Sequence, residues 1–200
     1  MTYTSVRYKT YAEYLAADLS SDGNFRLLSS GEVIELPPED IRNLSIAEEL
    51  AFSLKSIVSS RKLVKVAAVE MQVRPVGDGR VNRKPDVIVL QPEHIELMIA
   101  RRKAAVCFGM PAPVFVAEIV SPGGENSDNY RRDYEWKRQQ YQDWQIPEYW
   151  IVDRHRQKVT ILILTDGFYS EEIYRGEDII RSAAFPPLQL SAAQVLAGEP

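Results

Sequence analysis

Residues 83–90 read RKPDVIVL, and the fold turns on what Asp86 is doing in them. The four residues after it are aliphatic and mostly β-branched, the pattern of a buried strand, with Pro85 early enough for its missing N–H to be tolerated. An ionised carboxylate in such a run costs several kcal/mol unless a cation, a metal or hydrogen-bond donors receive it.

The same oddity recurs downstream. PVFVAEIVSP (113–122) reads as a further strand, apolar almost throughout except for Glu118. Upstream, LVKVAAVEMQVR (63–74) reads as one strand, followed by a GDG turn, and EHIELMIARRKAAV (93–106) reads as a helix between the two carboxylate-bearing strands, closed by the breaker GMPAP. If those two strands are neighbours, both side chains can point to one face. Two carboxylates so placed repel unless a divalent cation lies between them, and hard oxygen ligands suit Mg²⁺ or Mn²⁺. The alternative is that each pairs separately with an arginine or caps a loop.

A third charged group points the same way. ENSDNYRRDYEWKRQQYQDWQ (125–145) reads as a helix after a Pro-Gly-Gly turn, with Glu125, Ser127 and Asp128 favourable at its start. At 100° per residue, with Tyr130 as zero, Tyr134, Tyr141 and Trp144 fall at about 40°, 20° and −40° and define an apolar stripe. Lys137 falls at about −20°, inside that stripe, whereas Arg131, Arg132, Glu135, Arg138 and Gln139 spread over the opposite side. Such a lysine either snorkels to an edge or meets an anion, and Asp86 with Glu118 supplies one. Two carboxylates holding a divalent ion beside an ammonium form the outfit of a phosphodiesterase. Candidates for a third carboxylate are Glu48 and Glu49 on a helix expected over 43–59, and Glu70 in the first strand; solvent-facing roles suit all three as well.

Composition sets the frame. Two hundred residues, 45% hydrophobic and 26% charged, suit a single domain over 1–200. Within it a core is expected at about 41–165, with an N-terminal extension over 1–40 and a C-terminal one over 166–200. Residues 10–19 read as a short helix and 24–38 as a hairpin around Ser-Ser-Gly. No basic-then-apolar leader and no uninterrupted apolar run of membrane-spanning length occurs, so a cytoplasmic protein without a membrane partner is expected. Cys107 is the single cysteine and reads as a small buried hydrophobe. The net charge is −4, but residues 1–40 hold three basic and seven acidic groups and 166–200 hold two and six, leaving 41–165 with 19 basic against 15 acidic. A polyanion would meet the middle. Two histidines, His94 and His155, are too few for a His-metal finger, SPGGENS lacks the lysine and spacing of a phosphate loop, and no G-x-S-x-G elbow occurs.

Taken together, P-D-V at 85–87, E-I-V-S-P at 118–122, D-Y-E-W-K-R-Q-Q-Y at 133–141 and I-P-E-Y-W-I-V-D at 146–153 resemble the restriction endonuclease-like family written Uma-two, within the PD-(D/E)XK nuclease superfamily. The resemblance runs over roughly 30–165. It implies an α/β fold with a mixed sheet: an αβββαβ core with flanking helices, an N-terminal hairpin, EYWIVD as the returning strand and KVTILIL as one more. It also implies metal ligation by Asp86 and Glu118, with a helix glutamate assisting. One departure is plain: position 120 is Val, so the superfamily's E-x-K is absent, and Lys137 is the expected substitute. The first reading is therefore a Mg²⁺- or Mn²⁺-dependent DNA endonuclease acting as a homodimer, with Arg83, Lys84, Arg131, Arg132 and Arg138 available to phosphates. The second is a non-catalytic nucleic-acid-binding or structural module whose polar cluster is a closed ion pair.

Overall fold

The structure is a computed structural model that describes residues 6–17, 19 and 23–198. In chain order, α1 (Tyr11–Ala16) precedes a hairpin of β1 (Phe25–Leu27) and β2 (Val33–Glu35), and α2 (Ile41–Ile57) follows. Then come β3 (Val64–Val66), β4 (Glu70–Gln72), β5 (Asn82–Arg83) and β6 (Val87–Val89), with α3 (Pro92–Arg101) and β7 (Ala105–Val106) before β8 (Phe115–Ile119). A helix made of α4 (Asp128–Arg131), a π turn (Arg132–Trp136) and α5 (Lys137–Asp143) leads to β9 (Glu148–Asp153), β10 (Lys158–Thr165), β11 (Phe168–Tyr174) and finally α6 (Ala192–Ala197).

The main sheet has six strands in the order β11-β10-β9-β8-β6-β3. All neighbours are antiparallel except β8 and β9, which run parallel. A parallel pair cannot be closed by a tight turn; the 128–143 helix makes the crossover. Its first turn is capped by Ser127, whose hydroxyl accepts the Tyr130 N–H. α2 begins where the Asp40 carboxylate accepts the Arg42 N–H at 2.8 Å, two residues before the expected start. Its buried face, Ile46, Ala47, Leu50, Ala51 and Leu54, packs over β3, β6 and β8, and α6 packs on α2 and β10. The αβββαβ order is thus carried by α2, β3, β6, β8, the 128–143 helix and β9. Among the described residues, no helix is long and apolar enough to cross a membrane.

Two strand expectations need correction. Residues 63–74 are not one strand: Ala67 adopts a left-handed φ of 41°, and its N–H donates to the Asp86 carbonyl at 2.9 Å. The chain turns there, so β3 stays in the main sheet and β4 enters a three-stranded sheet of order β5-β4-β7. RKPDVIVL divides likewise. Arg83 ends β5 in the small sheet, Pro85 interrupts, and β6 begins only at Val87, because a residue without an N–H cannot continue both ladders. The hairpin extends the small sheet's side: Leu28 bridges Arg80, and the Asn82 side chain accepts the Leu27 N–H at 2.8 Å.

Candidate active site

The register that sets Val87 opposite Ala117 brings Asp86, one residue before β6, level with Glu118 on β8. Cross-strand partners share a face, so the two carboxylates meet. Asp86 is fixed by the Ile119 N–H, which donates to its Oδ2 at 2.7 Å. Glu118, only 2% exposed, receives the Lys137 ammonium on Oε2 at 2.8 Å and the Tyr141 hydroxyl on Oε1.

Lys137 is held from two sides. Besides Glu118, its Nζ lies 2.7 Å from Asp133 Oδ1. Asp133 is wholly buried, and its Oδ2 accepts the Ser121 N–H just beyond β8. The π turn explains how it is held. Lys137 N–H donates to the Arg132 carbonyl rather than to that of Asp133, and the Asp133 carbonyl receives the buried Tyr149 hydroxyl at 3.1 Å instead. Asp133, Lys137 and Tyr141 thereby form one stripe of helix facing the carboxylates. Asp133 was not among the expected site residues, although the helical arithmetic that singled out Lys137 puts it at about −60°, beside the same stripe.

The electrostatics follow from this crowding. Asp86 is half-buried, and its pKa lies well above the ordinary carboxylate value, through burial first and the Glu118 charge second, with Lys137 and the Ile119 N–H opposing. Burial alone would lower the Lys137 pKa; Asp133, Glu118 and Asp86 outweigh it and hold the ammonium above its ordinary range. Burial and the neighbouring Glu118 charge keep the proton on Tyr141, so that it acts as a donor.

Asp86, Glu118 and Lys137 open into a cleft of about 640 Å³, whose far wall is the chain from Leu36 to Asp40. The weaker expectations fare differently. Glu48 is exposed, Glu49 half-buried, and neither lines this cleft. Glu70 went with β4 into the small sheet, where it accepts from Tyr11, Tyr14 and Asn82. Glu39 lines the cleft instead, and its charge adds to the rise at Asp86. Lys84 and Arg132 line it. Arg83 also borders it but is 2% exposed, its guanidinium tied to Asp78 and Gln140. Arg131 bonds Asp128, and Arg138 bonds Glu171, both away from the cleft.

Among the described residues, no three His, Cys, Asp or Glu side chains converge as a ready metal centre. The donor set still suits a hard divalent ion, since Mg²⁺ is held by one or two carboxylates with water and substrate oxygens completing its shell. The raised pKa of Asp86 reflects burial first and the Glu118 charge second, and a bound cation would oppose both.

Fold and cleft together define a class: a helix-flanked mixed sheet of the restriction-endonuclease-like kind, with acidic groups gathered at the join of two central strands. A family described as "Putative restriction endonuclease", Uma2, matches residues 11–193, and the chain belongs to that family. Among solved structures, it is similar to "a putative nuclease belonging to DUF820 from Anabaena variabilis ATCC 29413", with a TM-score of 0.61 and 16% identity, over 89% of this chain and 92% of that one. No curated protein matches.

Proposed function

We propose that the chain is a divalent-metal-dependent endonuclease that hydrolyses DNA phosphodiester bonds in the cleft. The observation that carries this reading is the convergence of Asp86, Glu118 and a doubly paired Lys137 on one opening between two strands and a helix. Membership of the family supports it.

Asp86 and Glu118 would hold Mg²⁺ or Mn²⁺, which when bound supplies a Lewis acid for phosphodiester oxygens. The remaining chemistry belongs to the chain. The Ile119 N–H holds the Asp86 carboxyl toward the cleft, and Tyr141 fixes the rotamer of Glu118. Lys137 donates a hydrogen bond to Glu118 and is ion-paired with Asp133 at 2.7 Å; its remaining donor capacity is there to orient a water or a phosphate oxygen. Its raised pKa keeps it protonated, so it positions and stabilises charge rather than accepting a proton. A twofold dimer would bring two such clefts to a duplex.

The test is nicking and linearisation of supercoiled DNA with Mg²⁺, with Mn²⁺ and with chelator, by wild type and Asp86→Ala, alongside sedimentation to read the oligomeric state. Metal-dependent nicking lost in Asp86→Ala supports the reading; a monomeric mass at micromolar concentration removes the dimer. The closed pairing of Lys137 also suits a non-catalytic module, and inertness on single-stranded, duplex and supercoiled DNA with either metal would establish that reading instead.

A further inference from the structure

Away from its carboxylates, the same cleft is walled by guanidinium groups, those of Arg26 and Arg80 from parts of the chain outside the αβββαβ core and that of Arg132 from the crossover helix. Arg26 comes from β1, Arg80 from the turn before β5 and Arg132 from the π turn; Arg83 lies beside them, almost fully buried. Their compensation is thin. Asp78 accepts two hydrogen bonds from Arg83, each at 3.0 Å, and is approached by Arg80 Nε at 3.1 Å off the line of a hydrogen bond. Arg132 Nε stands 3.5 Å from Asp133, which already serves Lys137. Arg26, 6% exposed, donates through one terminal nitrogen to the neutral oxygens of Asn24 and the Phe25 backbone; its main favourable charge is that of Glu70, which already accepts from Tyr11, Tyr14 and Asn82. The Arg80 guanidinium is pushed down to about 10, by burial first, and also by the charges of Arg83, Arg132 and Arg26 against the pull of Asp78.

Like charges gathered in a partly dry site cost free energy unless an anion offsets them. We propose that Arg26, Arg80 and Arg132 form a phosphate subsite, which grips a backbone phosphate of the bound strand beside the one to be cut. Guanidinium forks match phosphate oxygens bidentately, and the subsite opens into the same cleft as Asp86 and Glu118. The assignment rests on the reading of that cleft as the place where the strand lies. It also gives the hairpin and the small sheet a purpose, because they carry Arg26 and Arg80 to a cleft that the main sheet alone would leave acidic.

The experiment uses the full chain without metal. A fluorescein-labelled single-stranded oligonucleotide of about twelve nucleotides is titrated by anisotropy over a range of NaCl, for wild type and Arg80→Gln, with Arg132→Gln as a second variant. The expected result is Kd raised about tenfold in Arg80→Gln, and a slope of log K against log salt reduced by roughly 0.7, one phosphate contact on a single strand. Thermal unfolding confirms that each variant folds, and Arg132→Gln carries the test if Arg80→Gln does not. An unchanged Kd and slope in folded Arg80→Gln, or no binding by wild type at low salt, overturns the subsite. Binding that depends on Arg80 in a protein that never cleaves upholds the subsite while removing the nuclease reading; cleavage that depends on Asp86 with Arg80-independent binding does the reverse.

Discussion

Glu118 on β8 and Glu148 on β9 are both buried, at 2% and 1% exposure, on adjacent strands of one sheet, yet their surroundings have little in common. Glu148 meets neutral donors: Trp150 Nε1 at 2.6 Å and the Ser182 hydroxyl at 2.7 Å on Oε1, and the Ala184 N–H at 2.7 Å on Oε2. It does not line the cleft, and it ties the C-terminal segment to the sheet. Glu118 meets an ammonium and a tyrosine, stands level with a second carboxylate, and opens into the cleft. A buried carboxylate in an apolar strand is therefore no signature by itself. At equal burial, the type of donor and a place on the cleft separate a structural pin from a candidate for chemistry.

Exchanging each glutamate for glutamine should split the two roles. Glu118→Gln keeps the shape and leaves Lys137 its Asp133 partner, so folding should survive. Cleavage should fall by at least about a hundredfold, because one of the two anionic ligands proposed for the divalent ion is lost; single-turnover assays on supercoiled DNA read this. Retained cleavage in Glu118→Gln would place the chemistry elsewhere.

Glu148→Gln should show the mirror image. The new amide must set a donor against a donor at Trp150, Ser182 or Ala184, at a cost of about 3 kcal/mol, or roughly 6–12 °C in Tm for a chain of this size. Cleavage per folded molecule should be unchanged. Thermal unfolding and active-site-normalised rates would expose any coupling between the sites.

The third contrast depends on pH. The folded pKa of Asp86 is raised, so its protonation contributes stability that is fully present below the ordinary carboxylate value of 3.8 and lost as pH rises through the elevated folded value. Asp86→Asn, measured without divalent cation, should therefore have a higher Tm than wild type at neutral pH. That advantage should shrink toward zero as the pH is lowered toward 3.8. Adding Mg²⁺ should raise the wild-type Tm and leave the variant unmoved. An advantage that stays constant with pH would mean that neither burial nor Glu118 raises the Asp86 pKa.

The sequence carries the main elements and the convergence of Asp86, Glu118 and Lys137 because each depends on local pattern: an apolar run marks its strand, and a lysine inside an aromatic stripe marks its face. What it hides is where a run stops. Nothing in LVKVAAVEMQVR announces that Ala67 turns left-handed, and that turn decides that Glu70 serves Tyr11 and Tyr14 rather than the cleft. Arg26 and Arg80 were equally out of reach, since their approach to the cleft depends on how a hairpin packs against a small sheet. Glu148 was in view within EYWIVD, but its meaning lies in Ser182 and Ala184, more than thirty residues away.

The smallest effect joins the two regions. Tyr149 follows Glu148 on β9, but its hydroxyl crosses to the Asp133 carbonyl in the π turn that presents Lys137. Tyr149→Phe deletes one buried hydrogen bond and leaves a carbonyl unsatisfied, which should cost about 1–2 kcal/mol. Were the π turn only a packing accommodation, Tm would fall and kcat would stay. If the hydroxyl holds the turn that aims Asp133 at the ammonium, kcat should fall a few-fold with KM little changed, since a displaced Lys137 weakens stabilisation of the reacting phosphate more than binding of the strand. Combining Tyr149→Phe with Asp133→Asn decides between these. Through a shared Lys137, the second substitution should add less to the loss of kcat than it does alone; independent losses would show that Tyr149 supports the sheet and nothing further.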